Sequence, residues 1–222
     1  MNQKGICSMS LFDFHPDSLE NCPLRLILAS ESSARKRLLE NAGICFETCP
    51  SHYDETSLKQ KALQEGRSIR ETALQLAQEK ALSVLKKIAD EKALIIGADQ
   101  ILSCQGQWYD KPVNREQASQ QIMALRGRVH VLHTAVVLVY KNRVIWQHIE
   151  EPCLHMRFVS EAFITQYLAD EGEACLASVG AYRLEGRGIQ LFECIKGDSF
   201  SIQGLPLLPL LSALREIKIL QT

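Results

Sequence analysis

No apolar run in the 222-residue sequence approaches the roughly 20 residues that span a bilayer, and the N-terminus lacks a signal-peptide core. A cytoplasmic protein without a membrane partner is expected. An excess of either charge is missing too: 25 Lys plus Arg stand against 26 Asp plus Glu. With no net field to gather nucleic acid or an acidic membrane, an anionic ligand must be held by local charge. The eight cysteines form no Cys-x-x-Cys pair, and Cys45 and Cys49 have no histidine cluster to suggest zinc. Free, mostly buried thiols in a reducing compartment are the expectation. A Walker loop, a glycine fingerprint, a Ser-His-Asp motif and a metal-binding histidine pair are all absent, as are internal repeats.

What is present alternates between strand and helix patterns. Residues 1–22 show no period and read as an extension ahead of a body spanning 23–222. Leu24 to Ala29 reads as a buried strand, and Ser32 or Ser33 as the cap of a helix running to Gly43. "ICFET" suggests a short strand, and "SHYDETSL", with Asp54 and Glu55, has loop character. From Ile69 to about Ala89 apolar residues recur at helical spacing, and Lys80 falls on their inward stripe. "ALIIGAD" predicts a second buried strand ending at Gly97, with Asp99 just past its carboxyl end. "WYDKP" is a loop carrying Lys111, and Arg115 to Leu125 reads as a helix. A long hairpin around "KN", a strand from Leu154 to Val159, and a helix capped by Ser160 follow. "GAYRLEGRG" is a glycine-punctuated loop, "IQLFECI" a strand, and "GLPLLPLLSALREI" a closing helix. The fold class these patterns predict is α/β with a mixed twisted sheet and flanking helices.

Several residues carry possible chemistry. A helix N-terminus exposes unpaired N–H groups, so the serines and Arg35 of "LASESSARKRLL" suit either an anion cradle or an ordinary solvated turn. Lys80 on an apolar stripe needs an anion, a snorkelling route or a lowered pKa. Asp99 at a strand end suits cation holding or water orientation, and equally a turn. Lys111 fits a ligand contact or plain surface. Together, cations from separate segments and a strand-end acid suit a polyphosphate ester, whose cleavage needs charge neutralisation, a metal and an aligned water.

The segments "LASESSARKRLLENAGI", "YDET", "LAQEKA", "IGADQIL", "DKP" with "REQASQQIMALRGRVH", and "GAYRLEGRGIQLFECIKGDSFSIQGLPL" run in one order from about residue 24 to the end. In them the chain resembles the Maf family of nucleoside triphosphate pyrophosphatases, also described as septum-formation inhibitors. The resemblance implies hydrolysis between the α and β phosphates with a divalent cation, Mg²⁺ or Mn²⁺, in a mixed α/β body with a cleft between two lobes, often dimeric. It makes Asp99 the catalytic base and matches Glu55 to a family acid; in the mechanism expected here Asp99 and Glu55 position the cation. Ser30, Ser32, Arg35, Lys80 and Lys111 match the family's phosphate-binding positions. Ser33 and Ala34 replace the usual Pro and first Arg, while Gln100 and Glu185 are similar to the branch that favours 7-methyl-GTP. A carboxylate at 185 can accept paired N–H donors of a guanine edge. A non-catalytic nucleotide sensor acting on cell division, or an inactive relative, is the competing expectation.

Overall fold

The computed structural model describes residues 24–221; the extension read over residues 1–22 lies outside them. Among the described residues eight strands form one mixed sheet, ordered β2-β1-β3-β5-β7-β8, with β4 on β3 and β6 on β5. Seven α-helices flank it. Two 12-residue strands, β3 (Ala93–Cys104) and β5 (Val129–Tyr140), are its spine, antiparallel from Leu94 to Ser103. Each runs long enough to serve two lobes in succession.

In the first lobe β1 (Arg25–Leu28) lies parallel to β3, and β2 (Glu47–Thr48) flanks it. Helix α3 (Ile69–Ile88) covers one face, burying Ala73, Leu76, Ala77, Ala81 and Val84 against Ile27, Ile95, Val137 and Val139. Its start is fixed by a capping box between Ser68 and Glu71. Helices α1 (Ser33–Asn41) and α7 (Leu207–Glu216) cover the other face through Leu38, Leu39, Leu210 and Leu214. The second lobe is built from β4 (Gln107–Tyr109), β7 (Cys153–Met156) and β8 (Phe192–Lys196). There α4 (Arg115–Leu125) and α5 (Glu161–Glu171) pack through Ala118, Ile122, Leu125 and Ile164 on Leu102, Leu132 and Leu154.

Strand β6 (Arg143–Glu150) returns from β5 through Lys141 and Asn142, both at positive φ, the backbone that a two-residue hairpin turn needs. Four sequence expectations change. The second buried strand does not stop at Gly97: β5 pairs with it through Ser103, so Asp99 lies inside β3. "SHYDETSL" is not loop throughout, because Asp54 caps α2 (Glu55–Gln64), whose inward face holds only Leu58 and Ala62 and so shows little periodicity. The strands expected over 154–159 and "IQLFECI" are shorter, the latter beginning with a 3₁₀ turn over Arg187–Leu191. Of the six cysteines described only Cys104 and Cys175 are buried; Cys45 and Cys194 are exposed, beside or on the end strands of the sheet.

Candidate active site

The cleft begins as a gap in strand pairing. β1 accompanies β3 only as far as Leu28 opposite Ile96, and β4 takes up the same edge from Leu102. Between them residues 97–101 have no strand on that side. Ala29 N–H still donates to the Ile96 carbonyl at 2.9 Å, but the next acceptor along the edge, Ala98 O, receives Arg35 Nη1 at 2.8 Å. Arg35 Nε donates to Gly204 O at 2.7 Å and Nη1 also to Ser30 Oγ at 3.2 Å. The guanidinium is buried; burial lowers its pKa, while Asp99 and Glu55 oppose the shift. Ser32 caps α1, accepting from Arg35 N–H, so the serine-rich stretch sets the first helical turn at the cleft floor.

Lys80 enters from α3 on the other side of the sheet. Its ammonium donates to Asp99 Oδ1 at 2.5 Å and lies 2.7 Å from Glu55 Oε1 on α2. Gly97 allows this approach: a Cβ there would lie 2.1 Å from Ala77 O, about one helical turn before Lys80, and 2.9 Å from Cβ of Ala81, the residue next to Lys80. Asp99 is only 3% exposed, and its Oδ2 has no hydrogen-bond partner among the described residues. A buried carboxylate oxygen left open beside a second carboxylate suits a hard divalent cation. Among the described residues no third His, Cys, Asp or Glu joins them, so such a cation would draw further oxygens from phosphate and water.

Lys111 has no carboxylate within ion-pair distance among the described residues. Burial, then Arg35 and Lys80, hold its pKa below the ordinary lysine value, against the pull of Glu55 and Asp99. Gln100 faces the opposite side of β3 from Asp99, and its amide nitrogen donates to Thr134 Oγ1, Ser201 O and Ile202 O at 2.8, 3.0 and 3.2 Å. At the far end Arg183 bridges Glu185 (3.3 Å) and Glu171 (3.5 Å), and Glu171 Oε1 also accepts the Arg187 N–H at 2.9 Å. Tyr182 beside them is held by buried His130 at 2.9 Å.

All nine residues singled out in the sequence, Ser30, Ser32, Arg35, Glu55, Lys80, Asp99, Gln100, Lys111 and Glu185, line one cleft of about 940 Å³. Sequence reading missed Lys59, Asp110 and Tyr182, which line it too, as does Arg183, the neighbour that pairs with Glu185. Lys59 stands four residues after Glu55, a helical spacing that the loop reading of this segment concealed. A Ser103–His133–Glu151 chain, 2.9 and 2.8 Å, has the connectivity of a hydrolytic triad, but Ser103 does not line the cleft; Arg70 on α3 completes it as a clasp between helix and sheet.

The model of the Maf-like protein family matches residues 25–217, nearly all of the described chain. The chain belongs to the Maf family. It is similar at 51% identity over 193 residues to the Granulibacter bethesdensis protein named nucleoside triphosphate pyrophosphatase, covering 87% of this chain and 97% of that one. A Rhizobium meliloti relative named 7-methyl-GTP pyrophosphatase is 47% identical over 192 residues, 86% of this chain and 96% of its own. A Gluconobacter oxydans relative named nucleoside triphosphate pyrophosphatase is 46% identical over 195 residues, 88% and 96%. The Maf match thus covers both lobes and every cleft residue named above.

Proposed function

We propose that this protein hydrolyses a nucleoside triphosphate between its α and β phosphates, releasing a nucleoside monophosphate and pyrophosphate. The observation that carries the reading is Asp99: buried, anchored through Oδ1 to Lys80, and open at Oδ2 in a cleft lined by Arg35 and Lys111. The names of the relatives support the same reaction class.

In this mechanism Arg35, Lys80 and Lys111 bind the phosphate oxygens, and the N-terminus of α1 with Ser30 and Ser32 adds donors. The anchor on Oδ1 fixes the Asp99 carboxylate, so that Oδ2 orients the attacking water and takes its proton. Asp99 and Glu55 would hold Mg²⁺ or Mn²⁺, which when bound would supply charge neutralisation on the phosphates and greater acidity of the attacking water. Lys80 keeps two carboxylates close together without mutual repulsion and gives hydrogen bonds to the developing charge. For the base, Glu185 supplies a carboxylate and Gln100 a fixed amide, which suits a guanine edge and favours a cationic 7-methylated one. The relatives named 7-methyl-GTP pyrophosphatase support that preference.

The test incubates purified protein with Mg²⁺ or Mn²⁺ and a panel of ordinary and methylated triphosphates, then separates the products. Monophosphate plus pyrophosphate is expected; diphosphate plus orthophosphate contradicts the cleavage position. Asp99→Asn should lower kcat by about 10²–10⁴-fold while calorimetry still detects triphosphate binding. Undiminished turnover would remove Asp99 from the role.

A further inference from the structure

Lys59 stands on α2 one turn beyond Glu55, its ammonium 3.8 Å from Glu55 Oε2 and 2.5 Å from Asp110 Oδ1, in the loop that carries Lys111. The two ends of this pair sit in unlike surroundings: the Lys59 side chain is 14% exposed inside the cleft, and that of Asp110 is 74% exposed. An ion pair with so solvated a carboxylate contributes little net stability, so its partner is readily exchanged. The backbone of Asp110 is fixed independently, its carbonyl accepting Gln121 Nε2 at 2.9 Å. The carboxylate can therefore swing into water without moving Lys111, provided that an incoming anion takes its place on the half-buried Lys59 ammonium. Lys80, by contrast, is enclosed between Glu55 and the buried Asp99.

We propose that Lys59 is a further phosphate-binding cation of this cleft, masked by Asp110 until the terminal phosphates of a triphosphate, or the pyrophosphate product, displace that carboxylate. The inference rests on the pyrophosphatase reading above and adds a residue to it. Binding exchanges one anionic partner of Lys59 for another, so Asp110 competes with the ligand while Lys59 attracts it. Removal of the two partners must therefore act in opposite directions.

Inorganic pyrophosphate is the probe, titrated into wild type, Lys59→Gln, Lys59→Arg and Asp110→Asn by calorimetry, with steady-state kinetics on a triphosphate alongside. Lys59→Gln should weaken pyrophosphate binding about tenfold and raise KM more than it lowers kcat. Lys59→Arg should recover most of the affinity, and Asp110→Asn should tighten binding about two- to threefold. Equal weakening by Lys59→Gln and Asp110→Asn would make the pair a structural strap and overturn the proposal, as would unchanged affinity in Lys59→Gln. Should that variant not fold, the sign of the Asp110→Asn effect decides. Because pyrophosphate binding is read without turnover, a protein that binds it through Lys59 but cleaves no nucleotide would overturn the catalytic reading and leave this one standing.

Discussion

At the end of the cleft bounded by β1 and α3, Asp99 keeps a buried carboxylate oxygen open and Lys111 has no carboxylate within reach, among the described residues. At the end bounded by residues 179–188, Arg183 is shared between Glu171 and Glu185, and Tyr182 is tied to His130. The first end leaves polar groups that a ligand would complete. The second satisfies most of its charges internally. Open groups on rigid elements supply affinity and chemistry, whereas a self-compensated loop contributes by shape and by small differences between ligands. The phosphate end should therefore govern turnover, and the base end selectivity.

The largest expected effect separates the two ends by geometry. Gly97→Ala places a Cβ against Ala77 O and forces α3 off β3, so it should cost at least about 3 kcal/mol, a fall of roughly 6–12 °C in Tm. Thermal unfolding measures this, and an unchanged midpoint would show that the α3 approach is not set by Gly97. His130 tests the base end. Burial lowers its pKa from 6.5 to about 4, so between these values the unfolded chain holds the proton and the folded chain does not. Stability should be complete above about pH 6.5 and fall on acidification toward pH 4, by about 3 kcal/mol from this group. Denaturant titrations of wild type and His130→Gln across that range should diverge, the variant losing less; parallel curves would mean that His130 does not titrate in unfolding.

Smaller effects sharpen the contrast. Glu185→Gln should reduce the kcat/KM preference for 7-methyl-GTP over an ordinary pyrimidine triphosphate about tenfold, with kcat on the better substrate little changed. If the ratio does not move, Glu185 is spent on Arg183 and does not read the base. Lys111 loses its proton at lower pH than an ordinary lysine, so rising pH should raise KM early on the alkaline side. Lys111→Arg should shift that limb to higher pH while changing KM at neutral pH less than about threefold. A wild-type KM that is flat through the alkaline range would take Lys111 off the phosphate.

How much was legible varies by residue. Lys80 stood out because one charge on an apolar helical stripe breaks a 3.6-residue period, and α3 does turn it inward. Local chemistry narrowed the cap of α1 to Ser32 or Ser33, and the structure gives it to Ser32. Asp99 was marked as a site residue and placed just past a strand end, whereas it lies inside β3, since the polar pair Asp99-Gln100 mimics a strand end when β5 is not in view. Lys59 was not marked, because α2 buries too little to show a period. Of the 3₁₀ turns, the one over Gly172–Ala177 was not read at all and those within residues 179–191 were read as loop or strand, for such turns carry no hydrophobic repeat.

By itself the sequence determined the alternation of strands and helices, the inward lysine, the helix caps and the family motifs, all of which are local properties of side-chain pattern and hydrogen-bonding chemistry. Only the tertiary structure decided that β1 stops short of β4 on one edge of β3, that Arg35 fills the gap, and that Lys80 reaches Asp99 across Gly97. The two side-chain contacts join residues 63 and 19 positions apart in the chain, and separations of that length are fixed by which surfaces pack together, which no local pattern encodes.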